Sequence, residues 1–132
     1  DIGIRNAVVD FRQIEFTHIM ENVVYNELRK QGYTVDVGSV ESFKRDENGK
    51  LQRRNLEIDF VVNRHDERLY IQSAYALPDK EKVDQEQASL LNVNDGFRKL
   101  IIVGDRYHSG YNEEGILMMS LSDFLLGKEN KG

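Results

Sequence analysis

The chain has 132 residues, of which 39% are apolar and 31% charged, and its 18 basic and 23 acidic side chains leave a net charge of -5. That length supports one hydrophobic core, and no apolar run reaches the roughly 20 residues a membrane span needs. The complete absence of cysteine excludes disulfides, thiolate metal centres and cysteine nucleophiles, and the negative charge disfavours attachment to nucleic acid by bulk charge alone. A single proline, Pro78, rules out a proline-rich linker. With no signal peptide and no cysteine, the expected setting is cytoplasmic, without a membrane partner. The chain starts at Asp1 and not at methionine, so a fragment cut from a longer protein is expected.

In chain order, residues 1–15 give a mixed pattern, with at most a helical turn around Ala7 to Val9. Phe16, Ile19, Met20, Val23, Val24 and Leu28 then recur at helical spacing, and predict a helix over about 17–31. Thr17 would cap it and Gly32 would end it. Thr34 to Val40 alternates as a strand does, and Asn48-Gly49 marks a hairpin tip within 45–50. Strands follow at about 56–62 and 69–75, joined by a polar turn at 63–68, which makes a three-stranded antiparallel meander. Pro78-Asp79 opens a helix to about Leu91. Lys99 to Gly104 holds an apolar run that reads as a strand buried on both faces. A strand at 115–119 and a short helix at 121–126 close the chain. The expected class is α/β, with an α-β-β-β-α-β core and a mixed central sheet.

Few residues combine into chemistry. His18, His65 and His108 lack metal-ligand spacing, and Ser73 has no obvious base beside it. No phosphate-cradling glycine motif occurs, and Gly104-Asp105 has the wrong spacing for a dinucleotide turn. The acids are more informative. Glu57 and Asp59, two apart on a strand, point to one face, and Leu56, Ile58 and Phe60 are expected on the other. Gln72 on the next strand is placed to meet that face. Glu21 and Glu27 lie near the apolar stripe of the first helix and could join them. Such oxygen donors suit Mg²⁺, which can activate water against a phosphodiester. The same spacing also suits a solvated sheet face and ordinary helix acids. Arg53, Arg54, Arg64 and Arg68 could meet phosphates, although residues 41–68 hold seven basic and seven acidic side chains and so are neutral as a whole.

Glu21, Asp59 and Ile71-Gln72-Ser73-Ala74, in that order across the helix and meander, resemble the PD-(D/E)XK nuclease superfamily. His18 to Leu28, Gly32-Tyr33, Glu57 to Val61 and Tyr70 to Gln72 more closely resemble one subfamily within it. That subfamily is the C-terminal domain following the ATPase module of many bacterial and archaeal AAA+ proteins. The resemblance covers nearly the whole chain as one domain, 1–132, with a restriction-endonuclease-like fold. It implies that Asp59 is the metal-binding aspartate and Glu21 the helix glutamate. Gln72 stands where a second acid is expected, and Ala74 where a catalytic lysine is expected. Glu21, Asp59 and Gln72 would then form a vestigial catalytic site, with Mg²⁺ on Asp59 and Glu21 as the one cofactor to consider. ATP would bind only in an upstream module. The implied function is a catalytically degenerate, nuclease-like accessory domain used for recognition or assembly. Its partners would be its own AAA+ module in cis, with a nucleic acid reached through Arg53 and Arg54 or a protein as further partners. The alternative is a divalent-metal nuclease with an unconventional base.

Overall fold

The computed structural model describes residues 2–104 and 106–127, and of residues 2–11 only the course of the backbone. Helix α1 (Ile2–Lys30) begins far upstream of the expected start, because nothing between Ile2 and Thr17 breaks a helix except the tolerated Gly3. Thr17 is no cap. It lies inside α1, where its hydroxyl donates 2.8 Å back to the Gln13 carbonyl. The buried stripe is narrower than the six-residue pattern, with Met20, Val24 and Leu28 at four-residue steps, while Phe16 and Ile19 stay 40% and 53% exposed. The C-terminus of α1 is set by Gly32 at φ +91°. There the Tyr33 N–H bonds the Leu28 carbonyl and the Gly32 N–H that of Arg29, with Tyr33 and Leu28 sharing the core below. Among the described residues no helix is long and apolar enough to cross a membrane.

After α1 come strands β1 (Thr34–Arg45), β2 (Leu51–Arg64) and β3 (Glu67–Ala74), the expected antiparallel meander. All three differ from their expected limits, β1 and β2 by running further toward the hairpin tip. That tip is tied by the Asp46 carboxylate, which accepts from the Asn48 and Lys50 N–H groups. A two-residue turn, His65-Asp66, joins β2 to β3, with His65 at φ +55°. Helix α2 (Lys80–Leu91), capped by Asp79, crosses over to β4 (Arg98–Val103), which lies parallel to β3. Strand β6 (Leu117–Ser120) continues in parallel, and α3 (Leu121–Leu125) follows it. The sequence gives no hint of β5 (Gly110–Tyr111), two residues paired antiparallel with β6. Gly115, expected in the last strand, instead makes the turn before it at φ +81°.

The sheet order is β1-β2-β3-β4-β6-β5, mixed as expected, and the first six elements follow the α-β-β-β-α-β order. One core lies between the sheet and α1 with α3, and the other lies under α2. Strand β4 feeds both, with Leu100 and Ile102 into the first and Ile101 and Val103 into the second. Gly104 is packed under α1: a Cβ there would sit 2.9 Å from the Met20 sulfur. Asp105 lies outside the described residues.

One expectation fails in a way that shapes the site. Ile58 enters the core under α2, but Phe60 enters the core under α1. Simple alternation would put both on one face. The pairing explains it: Asp36 lies opposite Val61 and Gly38 opposite Ile58, so β2 spends one extra residue there as a bulge. The bulge swings Val61 over Gly38, where a Cβ would meet Val61 Cγ2 at 2.5 Å. Gly38→Ala is therefore expected to cost about 1–3 kcal/mol by overpacking, read as a lower urea midpoint at unchanged slope.

Candidate functional site

The bulge also ends the pairing of β2 with β3. The last ladder pair is Phe60 with Ile71, and beyond it the two strands separate. Side chains take over the hydrogen bonding. Gln72 Oε1 accepts from the Asp59 N–H at 2.7 Å, and Asp59 Oδ2 accepts from the Ser73 N–H at 2.9 Å and its hydroxyl at 3.2 Å. Each strand thus lends a side chain to the other's backbone, which satisfies the N–H groups that the splayed ladder leaves.

The two bridging side chains lie on opposite faces. Gln72 is buried under α2, where its Nε2 donates to Ser89 Oγ at 2.9 Å and, at longer range, to the carbonyls of Glu86 and Glu57. The Asp59 carboxylate is on the α1 face with Ser73. Burial raises its pKa, the two hydrogen bonds from Ser73 oppose that rise, and the neighbouring Glu57 carboxylate adds to it. Glu21 on α1 is raised too, first by burial and then by the Asp59 charge, while His18 one turn away pulls it down. Asp59 therefore lies near enough to Glu21 and to Glu57 to couple with each charge. Glu27 takes no part: it is held by Gln31 at 3.0 Å, two turns further along α1.

Next to this cluster a cavity of about 750 Å³ opens between α1, the end of β3 and the start of α2. Its walls include His18, Ser73, Ala74, Lys82 and Glu86. Ser73 both lines the cavity and holds Asp59, a link that no sequence motif announced. Lys82 was likewise hidden from sequence reading. It reaches the level of Ala74 only because α2 folds back over the sheet, and there it pairs with Glu86 at 3.0 Å. Among the described residues no three His, Asp or Glu side chains are grouped to hold a metal ion. Two carboxylates are a usable minimum for Mg²⁺, but the carbonyl oxygen of Gln72 is spent on a backbone N–H on the other face.

The arginines do not form one patch. Arg53 and Arg54 are neighbours on a strand and so point to opposite faces. Arg53 pairs with Glu41 at 3.2 Å, and Arg54 faces the α2 side beside Lys80 and Glu81. Arg64 bonds the Gln31 carbonyl and Glu67 and stacks 4.4 Å from the Tyr33 ring, and Arg68 is held by Asn63. Both lie about ten residues along β2 and β3 from Arg54, roughly 33 Å at strand rise.

No family model matches the chain. It is 31% identical over 126 residues to a protein of Haemophilus influenzae whose printed name is "Uncharacterized protein". The match takes in 96% of this chain and 27% of that protein, so the chain spans about a quarter of the relative's length.

The raised carboxyls carry a pH signature. A folded-state pKa above the unfolded value means that the native protein binds a proton sooner as pH falls. Asp59 and Glu21 therefore oppose folding at neutral pH, and the penalty fades as pH drops through their raised values toward 3.8 and 4.5. Relative to Asp59→Asn, the natural chain is expected to gain stability as pH falls from neutral toward 3.8, measured by urea unfolding at each pH. A flat difference would show that Asp59 titrates at its ordinary value.

Proposed function

We propose that the chain is a nuclease-like accessory domain, catalytically degenerate, that serves recognition or assembly within a larger AAA+ protein. One observation carries the reading. Gln72 and Asp59, at two positions where a working site would present metal ligands, are spent bracing the split between β2 and β3. Gln72 in particular has its Nε2 on three acceptors and its Oε1 on the Asp59 N–H, all from the α2 side, so it presents no oxygen on the face of the Asp59 carboxylate. The H. influenzae relative supports a modular role, since its matching stretch is about a quarter of a longer protein. The AAA+ module in cis is the proposed partner, with a nucleic acid or a further protein beyond it. ATP would act only in that module, and no reaction step is assigned to Mg²⁺ on Glu21 and Asp59.

Lys82 favours a second reading. An ammonium group on the cavity wall with Ser73 and Ala74 could replace the lysine absent at position 74, which would make the chain a metal-dependent nuclease. Supercoiled plasmid incubated with Mg²⁺ or Mn²⁺ separates the two. We expect no cleavage above the Asp59→Ala background. Metal-dependent nicking lost in both Asp59→Ala and Lys82→Ala would establish the second reading instead.

The bracing role also predicts the outcome of restoring the acid. Gln72→Glu keeps an oxygen for the Asp59 N–H but removes the Nε2 donors from Ser89 and the two carbonyls, and it buries a charge. A loss of at least about 1–3 kcal/mol is expected, measured by thermal or urea unfolding. Unchanged stability together with new Mg²⁺ binding in calorimetry would mean that the position is still a ligand site.

A further inference from the structure

The two edges of the sheet are unlike. At one edge β5 is two residues long, whereas at the other β1 presents twelve. Natural proteins blunt long edges with like charges, proline, bulges or very short strands. The four exposed charges of β1, Asp36, Glu41, Lys44 and Arg45, are two of each sign. Strand β1 has no proline, and the bulge near it belongs to β2. Two of its exposed residues are large and apolar, Val37 at 75% and Phe43 at 57%, both on the α1 face.

We propose that β1 pairs antiparallel with β1 of a second copy, with the two-fold axis at Val40. Directly opposed residues in such a pair share a face, so the register can be judged from charge and apolarity. Centred on Val40, Asp36 lies opposite Lys44, and Val37 opposite Phe43, each contact occurring twice by symmetry. Ser39 meets Glu41, and Gly38 meets Ser42. Val35 lies under the stem of Arg45. Neighbouring registers lack this match. Centring on Glu41 sets two glutamates against each other, and centring on Ser39 sets Val37 against Glu41. A one-residue slip sends each side chain to the wrong face. The pairing from Val35 to Arg45 would make about ten backbone hydrogen bonds, the number usual for a stable interface. Both Asp36 and Lys44 are exposed, so they are available to one another. The inference goes beyond the proposed function and holds whether or not the acidic cluster binds metal.

Sedimentation of the 132-residue chain over a range of concentrations tests it, with circular dichroism to confirm folding of each variant. A reversible dimer is expected. Lys44→Asp, which sets two carboxylates opposite each other at both ends of the pair, should weaken it about tenfold or more. The double change Asp36→Lys with Lys44→Asp should restore it. The cysteine-free chain allows a second readout. Val40→Cys should form a disulfide-linked dimer on oxidation, because residues at the axis sit about 4.5–5.5 Å apart. Val37→Cys should not, since its two copies would lie six residues apart along the pair, roughly 20 Å. A chain that stays monomeric, a dimer indifferent to the charge changes, or equal cross-linking at both positions would each overturn the proposal. Should Val40→Cys fail to fold, the exposed charge pair decides alone.

Discussion

The extra residue in β2 is the constraint on which much of the molecule depends. It puts Ile58 and Phe60 into different cores, sets Val61 over Gly38, and parts β2 from β3 beyond Phe60. Parting two strands inside a covered sheet exposes N–H groups where water has little access, and each would be costly if unmet. Asp59 and Gln72 meet them by crossing the gap in opposite directions. The bulge and the two side chains therefore belong together. Without the bulge there would be no gap, and without the side chains the gap would be unaffordable.

That arrangement changes how the polar cluster should be understood. Asp59 carries a raised pKa because it is partly buried near Glu57, yet it is retained because Ser73 donates to it twice. Gln72 fastens α2 to the sheet through Ser89 and the Glu86 carbonyl while holding β2 through Asp59. A glutamate there would set a carboxylate against the Glu86 and Glu57 carbonyls, two of its four contacts. The amide is thus a fitted part of the scaffold, and it does not line the neighbouring cavity. Lys82 on the cavity wall is paired with Glu86, so its ammonium does not stand there as a bare cation.

Much of the architecture was legible because hydrophobic period and turn chemistry agree along the chain. The meander, the crossover helix and the doubly buried β4 all follow from such local signals. The first half of α1 was misread: Ile4, Ala7, Val8, Phe11 and Ile14 do recur at helical spacing, but Ile2 and Val9 fall off that stripe and blur the pattern. Thr17 misled because a threonine before an apolar run has the same look whether it caps a helix or bonds back within one. In the site, the shared face of Glu57 and Asp59 follows from strand spacing, and the approach of Glu21 to Asp59 is what the topology provides. The opposite facing of Gln72 could not be read, because the bulge that produces it depends on pairing with β1. Ser73 and Lys82 were missed for a related reason: their roles come from neighbours fourteen residues back and from a helix that returns over the sheet.

The shortness of β5 has a consequence for how far association can go. Open sheets that can add strands at both edges grow without limit into filaments. Here Gly110 and Tyr111 offer too little backbone to seat another strand, so the sheet can extend in one direction only. Once two β1 edges have met, the combined twelve-stranded sheet ends on both sides in a two-residue strand. Assembly along the sheet stops at two copies, and the long edge that would be a liability in a single molecule is used up by its own symmetry mate.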